Sequence, residues 1–347
     1  MKHTEINTLQ ELANYLRCPI DFLEKATQND FDVVDLAKGD LLRIPLSGGL
    51  VSVVRVAKKG KKIGHRIVYK VITDQLSNTL KILNTYLQEI YVPENCVHGF
   101  VKKKTIKTNA QMHLAKKIVV SVDIENFFEN VTRQMVIDGL ITIGFKPQIA
   151  DWLSQLTTIQ NALVQGFSTS PILANIVSVK LDKELLLFCE DRVIYSRYAD
   201  DLYFSSNDDK IDLAKIEKIV NLHSFKLNHS KTKVMKRGQP QYVTGLTVFD
   251  KDTARITKKI KRNLRLEIYH ISKFGYRRHV RVMLKKAGFD SKSPSFRVEV
   301  DFEIANTINR IYGWLYFIYS VEPEFTNKYY KILDKTKPKY YSLRVVS

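Results

Sequence analysis

Residues 193–205, Val-Ile-Tyr-Ser-Arg-Tyr-Ala-Asp-Asp-Leu-Tyr-Phe-Ser, restrict the fold more than any other stretch of this chain. Apolar and aromatic side chains crowd both sides of the adjacent acids Asp200 and Asp201. That pattern predicts a buried hairpin whose turn carries the two carboxylates. Carboxylates at such a turn either stand in water or hold something positive.

A second β-branched run favours the latter. Residues 117–128, Lys-Ile-Val-Val-Ser-Val-Asp-Ile-Glu-Asn-Phe-Phe, carry Asp123 at the end of the apolar part. Laid beside the hairpin in one sheet, this run brings Asp123 to the same edge as Asp200 and Asp201. Three carboxylates that close repel one another unless divalent cations neutralise them, and hard oxygen ligands suit Mg²⁺. Two such ions about 3.5–4 Å apart activate an attacking hydroxyl and steady a leaving pyrophosphate. The expected chemistry is nucleotidyl transfer, as in a polymerase.

Charge agrees with that chemistry. The 347 residues hold 55 Lys and Arg against 36 Asp and Glu, a formal charge of +19. Such an excess calls for a polyanion, because each neutralised phosphate releases counterions. A membrane surface is the competing polyanion, but no apolar run reaches spanning length and no lipidation signal is present. Cys18, Cys96 and Cys189 form no CxxC pair, so neither a disulfide framework nor a zinc site is expected. The N-terminus is polar and lacks the apolar core of a signal peptide, and a reducing cytoplasmic setting is expected. The chain is long enough for two or three subdomains, and it has no repeats or long linkers.

In order, Thr8-Leu9-Gln10-Glu11 is a capping box for a first helix, and Pro19 opens a second. The pair suits either a packed extension or a small helix-turn-helix. Residues 51–57 and 67–71 read as strands joined by a basic loop, Lys58-Lys59-Gly60-Lys61-Lys62-Ile63-Gly64-His65-Arg66. Helical periodicity marks residues 74–91, 132–143, 148–158 and 211–220. Ser170 and Pro171 read as the cap and first turn of one helix running through Leu181 and Leu186. Between Arg255 and Lys286 twelve basic residues face the single acid Glu267. Short basic helices are expected there, burying Ile260, Leu264 and Tyr269, or Leu266 and Ile271. Residues 304–318 are strongly apolar, with aromatics expected mainly in the core.

Several of these stretches resemble reverse transcriptases, in that family's order. Tyr198-Ala199-Asp200-Asp201 is similar to the catalytic box, and Asp123 followed by Phe128 to the first metal-binding motif. Residues 163–171, Leu-Val-Gln-Gly-Phe-Ser-Thr-Ser-Pro, resemble the Gln-Gly loop between them, with Phe167-Ser168 where the family usually has Ala-Pro or Pro-Pro. The resemblance implies metal ligation at Asp123, Ile124, Asp200 and Asp201, and a nucleotide site at Arg66, Lys104, Phe128, Gln165 and Gly166. Lys104 stands where an arginine commonly meets the triphosphate, and Val71 where a proline is usual. In that family the aromatic at Phe128 selects deoxynucleotides by blocking a 2′-hydroxyl. Lys231, in a Leu-Asn…Lys-Thr pattern, either protonates the leaving pyrophosphate or binds phosphate. Asn109-Ala110 with His113, and Val243-Thr244-Gly245, resemble the two signatures of retron enzymes.

Spanning roughly residues 50 to 335, the resemblance implies an α+β, right-hand polymerase architecture. Expected are an N-terminal helical extension at 1–50, fingers at 51–118 with part of 129–165, a palm with an antiparallel sheet at 119–249, and a basic helical thumb at 250–347. Lys258, Lys259, Arg262, Arg265, Arg277, Arg278 and Arg281 would bind RNA through phosphates and 2′-hydroxyls. The implied cofactor is a pair of Mg²⁺ ions, with Mn²⁺ as a substitute. The implied partners are a structured noncoding RNA with its RNA–DNA product, deoxynucleoside triphosphates, an effector protein in phage defence and a host ribonuclease H, with no membrane. The rivals are another bacterial reverse transcriptase (intron-derived, diversity-generating or abortive-infection type) and an RNA-binding scaffold that restrains an effector.

Overall fold

The computed structural model describes residues 2–28, 31–35, 49–57, 64–208 and 210–336. Its chain forms two compact units, Met1–Gln239 and Pro240–Ser347, dividing ahead of the border at 249 and 250 expected from the sequence.

In the first unit, α1 (Leu9–Leu16) starts at the capping box: the Thr8 hydroxyl accepts from Glu11 N, and the Glu11 carboxylate accepts from Thr8 N, both at 3.2 Å. A left-handed Arg17 (φ 54°) ends it, and α2 (Ile20–Ala26) follows Pro19. Ile6, Leu12, Leu16 and Leu23 are fully buried in the unit's main core, so the pair is a packed extension. A short strand that the sequence did not announce, β1 (Phe31–Val34), runs parallel to β2 (Gly49–Ala57), which pairs antiparallel with β3 (His65–Val71). Residues 58–63 of the basic loop lie outside the described residues.

Next come α3 (Asp74–Ile90), burying Leu76, Leu80, Leu83 and Leu87 on one face, and α4 (Ile106–Gln111). The chain then enters the central sheet with β4 (Ile118–Asp123). It leaves by α5 (Phe127–Asn130), α6 (Arg133–Thr142), α7 (Pro147–Thr157) and the small hairpin β5 (Thr158–Ile159) and β6 (Ala162–Leu163). Where one helix was expected from Ser170, there are two, α8 (Ser170–Val177) and α9 (Val179–Cys189). The break is at Ser178, whose hydroxyl donates back to Ala174 O at 2.8 Å and competes with the helix ladder. Thr169 is the cap residue, and the Ser170 hydroxyl donates to Val164 O instead. Strands β7 (Val193–Tyr198) and β8 (Asp201–Ser206), helix α10 (Leu213–Leu222) and β9 (Lys233–Lys236) complete the unit.

The central sheet has the order β7-β8-β4-β9, antiparallel throughout. Both faces of β4 are covered, which is why Ile118, Val119, Val120 and Val122 form a nearly unbroken apolar run.

In the second unit, β10 (Tyr242–Val243) and β11 (Leu246–Thr247) make a tight hairpin. Its turn residues Thr244 and Gly245 both have positive φ (46° and 79°), as a two-residue hairpin loop demands. Three helices follow, α11 (Lys258–Lys286), α12 (Phe296–Tyr319) and α13 (Pro323–Thr336). α11 is interrupted at Gly275 (φ 77°, ψ 160°). Its buried side is Leu264, Ile268 and Ile271, three and four apart, so Leu266 and Tyr269 turn outward, more than half exposed. The closing apolar segment also differs from expectation: Tyr312 is buried, whereas Trp314, Tyr316 and Phe317 are exposed. Glu267 ties α11 to α12 by accepting from Arg310. Burial pushes its carboxyl up, yet Arg310 and His279 more than offset this and hold it at about 2. Among the described residues no helix is long and apolar enough to cross a membrane.

Candidate active site

Register brings the acids together. Asp123 at the end of β4 lies directly opposite Asp201 at the start of β8, with Tyr198 of β7 on Asp201's other side. Asp200 sits in the two-residue turn between β7 and β8, and its carbonyl accepts from Ile124 N at 2.9 Å. Like charges opposed across a ladder repel, and the site shows it. Burial, reinforced by Asp200 and Asp123, pushes the Asp201 carboxyl up to about 6. Asp200 is raised as well, by burial first and by Asp123 among its neighbours.

A cavity of about 540 Å³ opens over this edge, lined by Asp123, Asp200, Arg66, Phe128, Gln165 and Lys231 among others, with Ile124 in its wall. Phe128 is half-buried there on α5, which a left-handed Asn126 (φ 45°) starts. Phe127 beside it is core, packed 5.4 Å from the Phe225 ring. Lys231 comes from the turn before β9, and its Nζ reaches both Asp123 oxygens at 2.6 and 2.9 Å. Gly166 lines an adjoining cavity, where Tyr69 N donates to Gln165 O at 2.7 Å and fixes the loop against β3. Lys104 is not brought to the site: its ammonium donates to the carbonyls of Asn95 (2.8 Å) and Glu94 (3.4 Å).

Among the described residues no three His, Cys, Asp or Glu side chains stand arranged around a metal position. The donor set nevertheless suits a hard divalent cation, with two raised carboxyls beside a third that already holds an ammonium.

Behind the acids lies a buried framework that sequence reasoning missed. Arg197 is fully buried and donates to Asp182 through Nε (2.8 Å) and Nη2 (2.6 Å), to Asn175 Oδ1 (2.9 Å) and to Ala199 O (3.3 Å). Tyr195 donates to Asp182 Oδ1 at 2.8 Å, and Asn175 donates to Gly99 O at 2.9 Å. Burial works against the guanidinium charge, and the Asp182 carboxylate overcomes it, raising the Arg197 pKa. Ala199 is left-handed (φ 57°), a conformation that costs a non-glycine residue about 1–2 kcal/mol, and the Arg197 contact to its carbonyl helps hold it. Gly99 backs onto this turn so closely that a Cβ there would lie 2.3 Å from Ala199 N. The signal for this framework was an arginine inside an apolar strand, since a buried charge needs a partner.

His113, fully buried, bridges the hairpin strands through Ser196 on β7 and Ser205 on β8, both at 2.7 Å. Burial, with the charges of His98 and Lys116, pushes its pKa down to about 3, so it is neutral. Asn109 and Ala110 are buried on α4. In the second unit Lys258, Lys259, Arg262, Arg265, Arg277, Arg278 and Arg281 are all exposed along α11, with Arg277 paired to Asp301.

Residues 56–286 match the family model described as reverse transcriptase (RNA-dependent DNA polymerase). The chain belongs to the reverse transcriptase family. Among curated relatives, the retron Ec86 reverse transcriptase of Escherichia coli is 26% identical over 289 residues, covering 82% of this chain and 81% of that protein. The retron Mx65 enzyme of Myxococcus xanthus is 36% identical over 174 residues, 44% of this chain and 40% of that one. The retron Mx162 enzyme from the same organism is 31% identical over 228 residues, 55% and 47%. The chain therefore spans less than half the length of the two Myxococcus relatives, and all three of these relatives are retron enzymes. A telomerase from Candida albicans, solved with a fragment of telomeric RNA, has a TM-score of 0.45 at 11% identity over 82% of this chain and 61% of that one, too slight a likeness to carry an argument.

Proposed function

We propose that this reverse transcriptase binds its own structured noncoding RNA and copies part of it into DNA from a 2′-hydroxyl of that RNA, leaving a branched RNA–DNA hybrid. The observation that carries the reading is the single cavity that gathers Asp123, Asp200, Arg66, Phe128, Gln165 and Lys231 over one sheet edge.

Asp123, Asp200 and Asp201, with Ile124 beside them, would hold two Mg²⁺ ions, which Mn²⁺ could replace. When bound, the ions supply activation of the attacking hydroxyl and charge neutralisation on the leaving pyrophosphate. Arg66 faces the same space and pairs with the triphosphate. Phe128 walls the sugar position and excludes a 2′-hydroxyl. Gln165 meets the templating base pair through its amide. Lys231 carries a proton at the cavity wall and delivers it to the leaving group.

The first unit then corresponds to fingers and palm, and the second to a thumb whose exposed α11 cations take RNA phosphates. A role in phage defence beside an effector protein, with a host ribonuclease H trimming the template, extends the reading from the retron resemblance. The free cysteines Cys18, Cys96 and Cys189 suit a cytoplasmic setting.

The test is co-expression with several hundred nucleotides of native flanking sequence, beside Asp200→Asn with Asp201→Asn. A discrete DNase-sensitive band joined to RNA, present with wild type alone, is the expected result. RNA alone in both samples would favour a scaffold, and DNA without an RNA branch would remove 2′-hydroxyl priming.

A further inference from the structure

On the solvent side of α11 three side chains form a column. The His270 ring lies close to parallel with Phe274, at 24° and 6.2 Å between centroids. The Arg278 guanidinium carbon stands 4.9 Å from the Phe274 centroid. Tyr269 meets His270 edge-on, at 67° and 5.8 Å. All four side chains are exposed, Phe274 by 51% and Tyr269 by 55%.

Two further features accompany the column. Helix α11 breaks at Gly275 directly after Phe274, and a Cβ there would meet nothing within 4 Å. Glycine therefore serves the backbone turn, not a close contact, and the column is completed across the break by Arg278. Cations also predominate on the same stretch, with Lys273, Arg278 and Arg281 exposed and Arg277 paired to Asp301. Rings interleaved with cations suit an unpaired nucleic-acid strand, in which the π-face of a base is free to stack while phosphates meet the cations. A duplex keeps its bases in its own stack and cannot use such a ring.

We propose that His270, Phe274 and Arg278 form a stacking platform for an unpaired nucleobase of the bound RNA, with the flanking cations taking the adjoining phosphates. This rests on the RNA-binding reading of the second unit, and adds that recognition there extends beyond the phosphate and shape contacts that a stem offers.

The test uses the full chain and two RNAs that share one stem, one closed by an unpaired loop carrying 2-aminopurine and one a blunt duplex. Affinities are measured at several salt concentrations. Phe274→Ala is expected to weaken loop binding roughly five- to a hundredfold, to abolish the 2-aminopurine quench, and to leave the salt slope and duplex affinity unchanged. Phe274→Trp should restore the quench, which a mere folding defect would not allow. Arg281→Ala should weaken both RNAs and lower the salt slope by about 1. The proposal is overturned if Phe274→Ala leaves loop binding and quench intact, or weakens both RNAs equally. Wild type that binds neither RNA would refute the RNA-binding reading and the platform with it.

Discussion

Gly166→Ala is the substitution whose outcome the structure fixes most sharply. A Cβ at position 166 would lie 2.1 Å from the Tyr69 carbonyl oxygen and 3.0 Å from Val68 Cγ1. The nearest obstacle is backbone of β3, so no side chain can swing aside. With φ at 114°, an L-residue is also strained by about 1–3 kcal/mol. Separating the loop from β3 further removes the Tyr69–Gln165 hydrogen bond, worth about 1 kcal/mol. The sum is a loss of about 2–4 kcal/mol in stability. Activity should suffer more, because Gln165 and Arg66 line the same cavity from the two segments being forced apart, and a displacement near 1 Å costs about a hundredfold in rate. The assay is primer extension on an RNA template, read as kcat/KM for a deoxynucleotide, beside urea denaturation. Gly288→Ala is the control: its φ of 91° is similarly strained, but nothing lies within 4 Å. If Gly166→Ala retained wild-type kcat/KM, or lost no more than Gly288→Ala, the coupling of this loop to β3 would be refuted.

Three further outcomes follow from the same geometry. Arg197→Met should strand the buried Asp182 carboxylate and cost about 3–5 kcal/mol in urea denaturation, with part recovered on adding Asp182→Asn; equal stability of wild type and single variant would contradict this. Phe128→Ala should lower discrimination between deoxy- and ribonucleotides by on the order of 10–100-fold in competitive incorporation, with a smaller change for the deoxynucleotide itself. His113 is held neutral, its pKa pushed down to about 3 from 6.5, so the unfolded chain binds the extra proton first as pH falls. Its contribution is complete above pH 6.5 and is lost on acidification toward pH 3, on the order of 5 kcal/mol in all. His98, lowered to about 4 by burial and Lys104, acts in the same direction. His113→Gln should flatten the fall in stability between pH 6.5 and 4, and an unchanged slope would contradict this account.

The sequence disclosed what depends on local pattern. Apolar and aromatic crowding on both sides of Asp200 and Asp201, with the β-branched run that leads to Asp123, located β4, β7 and β8, and the acids at the ends of those runs meet at one edge once the strands pair. What depends on distant partners was hidden. Nothing near Arg197 announces Asp182 or Asn175, which arrive from helices α8 and α9. Lys104 sits beside a basic run, but its ammonium is taken by the carbonyls of Asn95 and Glu94, which only the fold brings within reach. The helix break at Ser178 turns on one hydroxyl that bonds backward, and β1 is four residues long and stabilised by β2. In the second unit, amphipathic spacing was compatible with more than one buried face, and packing chose Ile268 over Tyr269.

The central claim is that Asp123, Asp200 and Asp201 form the polymerase centre. Its most direct test is incorporation of labelled deoxynucleotide into DNA on a defined RNA template, comparing wild type with Asp201→Asn under Mg²⁺. The replacement keeps the size of a residue opposite Asp123 in the sheet, so a melting curve should show a folded protein. The account predicts template-dependent extension by wild type and a loss of at least a thousandfold in the variant, about 4 kcal/mol of transition-state stabilisation. Extension by Asp201→Asn at the wild-type rate would place the chemistry elsewhere and contradict it.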